Sequence, residues 1–229
     1  MNIFLDIETI PAQDAQVRTE IIANIKPPAT HKKQETIDAW MKENQESEGD
    51  AAWRKTSFDG ALGHVCVIGW AIDDEPAREL HISGIHDMPQ EILLLAAFSA
   101  EIDKVCKARP NERPRFIGHN LIEFDLKFLF QRSIVLNVKP SQQIPFNCKP
   151  WDDSVYDTMQ RWGAQRGGSL DKITKACGLD GKEDIDGSMV WDYVKDGRIA
   201  EIAEYCKADV DLTRNLYKRM TFQSSLITA

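Results

Sequence analysis

Five side chains in three separated stretches hold the chemistry open to this sequence. Asp6 and Glu8 flank Ile7 near the N-terminus, Asp125 follows Gly118-His119-Asn120 closely, and Tyr205 and Asp209 stand four apart in YCKADVD. Side chains alternate along a strand, so Asp6 and Glu8 would point to one side and Ile7 to the other. On a helix, residues four apart share a face, which sets Tyr205 beside Asp209 and turns Asp211 away. A carboxylate pair at the end of a strand through a core repels itself and desolvates poorly unless a cation sits between the two groups. Four carboxylates can bracket two divalent cations about 3.5 to 4 Å apart, the arrangement used for in-line displacement at phosphate. Oxygen donors of this kind suit magnesium or manganese rather than zinc. The acid pair alone means little, because acids at 36 of 229 positions give on the order of five such pairs by chance.

The elements that must position these groups can be read from the pattern. Asn2 to Leu5 and the segment closing at Pro11 form a first strand. A polar stretch from Ala12 to about Leu62 follows, with Pro27-Pro28, a charged helical segment near Gln34 to Ser47, and Trp40, Trp53 and Phe58 among lysines and glutamates. It reads as an insertion folded over one end of the domain. Long connections lie on surfaces, so its plain role is a solvated cover. Its sharper role is a lid that grips substrate, with Trp40 or Trp53 stacking on a base and Lys32, Lys33, Arg54 and Lys55 near phosphate.

His64 to Asp73 is a buried strand, and Arg78 to Ile85 alternates as its hairpin partner across Asp73-Asp74-Glu75-Pro76. Pro89 opens a helix running to Ala108. Arg115 to His119 is a short strand, and the helical pattern from Glu123 puts Asp125 in the first turn or two of a helix. Val155 to Met159 is the last strand. Ser169 is an N-cap after Gly167-Gly168, for a helix to Cys177 that Gly178 ends. A short helix from Met189 to Lys195 stops at Gly197, and a long one spans about Ile199 to Met220. Strands and helices in this order make an α/β layer protein with a mixed five-stranded sheet flanked by helices.

The stretches DIETIP, GHNLIEFDLKFL and YCKADVDLT resemble the three motifs of the DEDD 3′-5′ exonuclease superfamily in its tyrosine (DEDDy) branch. They are most similar to the proofreading domain of family B DNA polymerases and to stand-alone exonucleases related to it. SLDKITKACGL and DGSMVWDYVKDGRIAEIAEYC extend the resemblance over nearly the whole chain outside residues 12–62. It implies a ribonuclease H-like fold and a metal-dependent enzyme that frees 5′-mononucleotides from the 3′ end of single-stranded nucleic acid. Asp6 would bridge two Mg2+ or Mn2+ ions. Glu8 and Asp209 would hold the ion on the nucleophile side, and Asp125 would reach the other, partly through water. Tyr205 would orient the attacking water, and Asn120 would lie near the 3′-terminal nucleotides. The histidine branch is excluded, because Glu204 stands where its histidine belongs and no histidine follows His119. DNA is the expected substrate. RNA is the first alternative, and a non-catalytic nucleic-acid-binding module of the same fold is the second.

Composition limits the other classes. A net charge of −8 argues against a broad basic face for duplex nucleic acid. Five scattered cysteines form no CxxC and suggest neither a zinc ribbon nor a disulfide framework. The N-terminus lacks a basic region and no apolar run is long enough to span a membrane, so a soluble cytoplasmic protein is expected. No GK[ST] follows Gly167-Gly168 and no GxSxG occurs, which removes the phosphate-loop and acyl-transfer readings. His119 reads as structural, and His64 and Cys66 as parts of a core strand rather than ligands. Asp157 is given no role.

Overall fold

A computed structural model describes residues 1–83, 88–163, 168–179 and 185–223. Its centre is a five-stranded sheet of β1 (Asn2–Ile10), β2 (His64–Ile72), β3 (Arg78–His81), β4 (Arg115–Gly118) and β5 (Val155–Asp157), in the order β3-β2-β1-β4-β5. β2 pairs antiparallel with β1 and β3, and β1-β4 and β4-β5 are parallel. The mixed sheet is therefore as read from the sequence, with β1 in the middle. β3 ends at His81, so Ile82 and Ser83 do not extend it, and Gly84, Ile85 and Gly167 lie outside the described residues.

Alternation along β1 divides the layers. Ile3, Leu5 and Ile7 join the main core with Phe98 and Ile102 of α3 (Met88–Ala108) and Leu126 and Leu129 of α4 (Asp125–Val135). Phe4 turns the other way, toward Val210 and Tyr217 of the last helix, α8 (Ile199–Met220). Phe4 meets Tyr217 edge-on at 5.7 Å. α8 is amphipathic at helical spacing: Ile202, Cys206, Asp209, Val210, Thr213 and Leu216 are all buried, and the intervening Glu204, Ala208 and Asn215 are exposed. Since Tyr217 sits by Phe4 and Cys206 by Asp6, the helix runs opposite to β1 across this face.

Two segments differ from the sequence reading. The last strand stops at Asp157, because its carboxylate accepts from the amides of Met159 and Gln160 and so starts α5 (Thr158–Gly163). The insertion is a helical hairpin: α1 (Ala15–Ala23) packs on α2 (Gln34–Arg54), which leads into a 3₁₀ turn, Lys55–Phe58. A Cβ on Gly49 of α2 would sit 2.6 Å from the Ile22 side chain and 3.0 Å from its Cα, so this glycine lets the helices approach. α6 (Leu170–Ala176) begins at Ser169 as expected, the Ser169 hydroxyl accepting from the Lys172 amide, and α7 (Val190–Lys195) follows.

A buried ion pair bolts the first half of the fold together. Arg132 of α4 meets Glu91 of α3 through two hydrogen bonds, Nε to Oε1 at 2.8 Å and a terminal nitrogen to Oε2 at 2.7 Å. Glu91 also accepts from the Val65 amide at 2.9 Å, and its Oε2 lies 2.8 Å from His64 Nδ1. Burial works against the Glu91 carboxylate, but the bonds from His64 and Arg132 outweigh it and hold its pKa below the usual value. His64 thus opens the core strand as expected and joins a polar network there.

Candidate active site

β1 carries its acid pair where the ladder becomes irregular. The register slips between Glu8 and Thr9, opposite Cys66, so the bulge lies next to the pair. Asp6, Glu8 and Asp209 each offer a carboxylate oxygen within 4.8 Å of the others. Glu8 and Asp209 are buried and Asp6 is half-buried. Two such charges about 4 Å apart repel by roughly 4 kcal/mol at an effective dielectric near 20. Three such pairs together rival the ~5–15 kcal/mol that holds a whole domain folded. Crowding of this kind is relieved by a cation among the oxygens or by protons taken up on them.

Asp125 is the first residue of α4, at the end of the turn that leaves β4. Only 2% of it is exposed, and its Oδ1 accepts from the Ile7 amide at 3.0 Å. It lies beside Asp6 but outside the close set of three. Burial pushes its pKa well above the usual carboxylate range, and the charge of Asp6 adds to the rise against the backbone amides of Ile7 and Asp125 itself. Tyr205 is also buried, one turn before Asp209. Burial raises its hydroxyl pKa, followed by the charges of Asp209, Glu8 and Asp6 and a hydrogen bond to Asp209.

Cys206, which carried no assignment from sequence, touches the cluster. Its Sγ lies 3.3 Å from Asp6 Oδ2 and 3.5 Å from the Asp6 carbonyl. Gly69 on β2 pairs with Asp6, and a Cβ there would fall 2.8 Å from Cys206 Sγ. The missing side chain is what lets α8 come down onto the acid pair.

Asn120 adopts a left-handed backbone, φ 59°, in the turn between β4 and α4. Its amide donates to Asp157 Oδ1 and that of Ile122 to Asp157 Oδ2, both at 3.1 Å. Asp157 is buried at the end of β5 and organises this turn as well as the start of α5. Its position at a strand end was the one signal in the sequence. His119 bonds to the Thr158 hydroxyl and the Gly168 carbonyl, a structural role as expected.

The lid reading is overturned for Trp53, and Arg54 is engaged by carboxylates. Trp53 is buried with its indole N–H donating to the Ala12 carbonyl, so it cannot stack on a ligand. Arg54 is held by Asp50 and by both oxygens of Asp192. The exposed aromatic ring at this end is Phe58, whose 3₁₀ turn is fixed to β1 by the Thr9 hydroxyl donating to the Ser57 carbonyl. Its ring lies 6.1 Å from that of Phe124, the residue before Asp125.

A mixed sheet of order 3-2-1-4-5, flanked by helices and carrying acids on its central strand, is the build of a ribonuclease H-like exonuclease domain. The chain belongs to the family described as predicted 3′-5′ exonucleases related to the exonuclease domain of PolB, whose model matches residues 62–229. That match takes in Asn120, Asp125, Tyr205 and Asp209 and begins after Asp6 and Glu8. No curated protein matches the chain. Among the described residues, no helix is long and apolar enough to cross a membrane.

Proposed function

We propose that the chain is a metal-dependent 3′-5′ exonuclease that removes 5′-mononucleotides from single-stranded nucleic acid, with DNA as the preferred substrate. The observation that carries this reading is the convergence of Asp6, Glu8 and Asp209 within 4.8 Å next to Tyr205. An all-carboxylate donor set of this kind fits Mg2+ or Mn2+. Asp6 would be shared by two cations, Glu8 and Asp209 would hold the one on the nucleophile side, and Asp125 would serve the other, partly through water. When bound, the cations supply an activated water and neutralise charge on the phosphate.

The protein's own groups do the positioning. Tyr205, with its raised pKa, keeps its proton at neutral pH. It can donate to Asp209 and accept from a water, and so fixes the direction of attack without acting as the base. Asn120, set by Asp157, faces the 3′-terminal nucleotide, and the turn bearing Phe58 forms one wall of the approach. Removing the Tyr205 hydroxyl as Tyr205→Phe is expected to lower kcat by about 10–100-fold with little change in the magnesium concentration for half-activity; unchanged kcat would take the tyrosine out of the mechanism.

Incubating 5′-labelled single-stranded DNA and RNA of one sequence with magnesium, manganese or chelator tests the function. Shortening from the 3′ end, faster on DNA and absent with chelator, is expected. Faster shortening of RNA would reassign the substrate, and binding without shortening would leave a nucleic-acid-binding module.

A further inference from the structure

Acids outnumber basic residues in this chain, 36 to 28, and most of its arginines are consumed by them. Arg18, Arg54, Arg78, Arg109, Arg115, Arg132, Arg198 and Arg214 each make an ion pair with a carboxylate. Among the described residues, Arg113, Arg161 and Arg219 have no carboxylate partner, and the last two line one cavity of about 850 Å³. Arg161 lies with its guanidinium 5.3 Å from the centre of the Tyr156 ring. Arg219 gives one hydrogen bond to the Cys177 carbonyl at 3.3 Å. Stacking holds a guanidinium by its face and leaves its edge donors open to an anion.

The same cavity holds two aromatic rings that no core packing accounts for. Trp162 is 49% exposed and Phe222 is 93% exposed. Uncompensated guanidinium groups fit phosphate, and exposed rings offer faces to bases. Their combination is the chemistry by which single strands are held without sequence preference. The place is also suitable. Arg219 follows Asp209 by ten residues on α8, about 15 Å at 1.5 Å per residue, so a strand a few nucleotides long can occupy both sites.

We propose that this cavity, between α5, the end of α6 and the C-terminal end of α8, is a second binding site for single-stranded nucleic acid. It holds nucleotides away from the reacting end by stacking on Trp162 and Phe222 and by pairing phosphates with Arg161 and Arg219. The inference rests on the reading that nucleic acid is the ligand of the chain, and it adds a preference for longer strands.

The test is fluorescence anisotropy of 5′-fluorescein-labelled thymidine oligomers, a tetramer and a hexadecamer, titrated with the full chain in EDTA so that no cutting is supported. The hexadecamer is expected to bind the wild type at least ~100-fold more tightly, well above the roughly tenfold that its overlapping tetramer registers give by counting alone. Trp162→Ala and Phe222→Ala, both at exposed positions, are each expected to remove about tenfold of that preference. Arg161→Gln is expected to flatten the dependence of log Kd on log salt by about 0.7, the loss of one phosphate contact on a single strand. An unchanged length preference in all three variants, or a wild-type preference no greater than counting gives, would overturn the proposal. Loss of length preference in a protein that never shortens a strand would keep this site and remove the exonuclease reading. Metal-dependent shortening with length preference intact in the variants would do the reverse.

Discussion

At the scale of single residues, the site is a problem of buried charge. Asp125 is the extreme case, almost fully buried beside Asp6 and tied to the Ile7 amide through one oxygen. Asparagine would keep that oxygen and discard the charge. Asp125→Asn is therefore expected to melt at the same or a higher temperature without metal while losing at least ~100-fold in activity. A midpoint several degrees lower would mean that the fold needs the carboxylate itself. If Asp6 holds a cation as proposed, Cys206 would act through it: the thiol can donate to Oδ2, and supporting contacts of this kind tune metal sites by about 10–100-fold. Cys206→Ala is expected to raise the Mn2+ concentration for half-saturation, read by electron paramagnetic resonance, and Cys206→Ser to restore most of it. Equal losses in both would assign the effect to packing. The sequence showed the acids because their types and spacing are chemically conspicuous. It hid Cys206 and Asp157, whose roles depend on which strand or helix lies opposite.

At the scale of elements, the Glu91–Arg132 pair fixes α3 and α4 to the start of β2, and α4 carries Asp125. Breaking one side of a buried pair leaves a bare charge. Arg132→Met is expected to cost about 3–5 kcal/mol in denaturant unfolding, and joint replacement of both residues by apolar ones to cost less. Nearly equal losses would mean the pair matters by packing alone. The sign of the pH effect follows from the lowered Glu91 pKa. Its stabilisation is fully present above the unfolded value near ~4.3 and is lost as pH falls through the lower folded value. Wild type should lose stability below about pH 4 more steeply than Glu91→Gln; matching slopes would contradict the assignment. Long elements such as α8 and β2 were legible because periodicity repeats over many residues. The short ones, the end of β3 and the switch from β5 to α5, were set by single capping contacts such as Asp157 to Met159, which periodicity does not register.

At the scale of the whole molecule, the central strand and the last helix run in opposite directions across one sheet face and bring together groups two hundred residues apart. The sheet order places β1 centrally, so the acid pair is buried on both flanks, and the insertion adds a wall at its end. The fold class was readable because the order of strands and helices permits few layouts. The inner structure of residues 12–62 was not, since its helices bury little and are held by contacts such as Trp53 to Ala12. Asp6, Glu8 and Asp209 are proposed as a cation-dependent hydrolytic centre for 3′ ends. Its most direct measurement is the rate at which mononucleotide leaves a 3′-terminally labelled single strand in magnesium, for the wild type and for Asp6→Ala and Asp209→Ala. Labelled 5′-mononucleotide is expected as the first product from the wild type, with a loss of at least ~1,000-fold in both variants. Release at wild-type rates by either variant, or with the magnesium chelated, would contradict it.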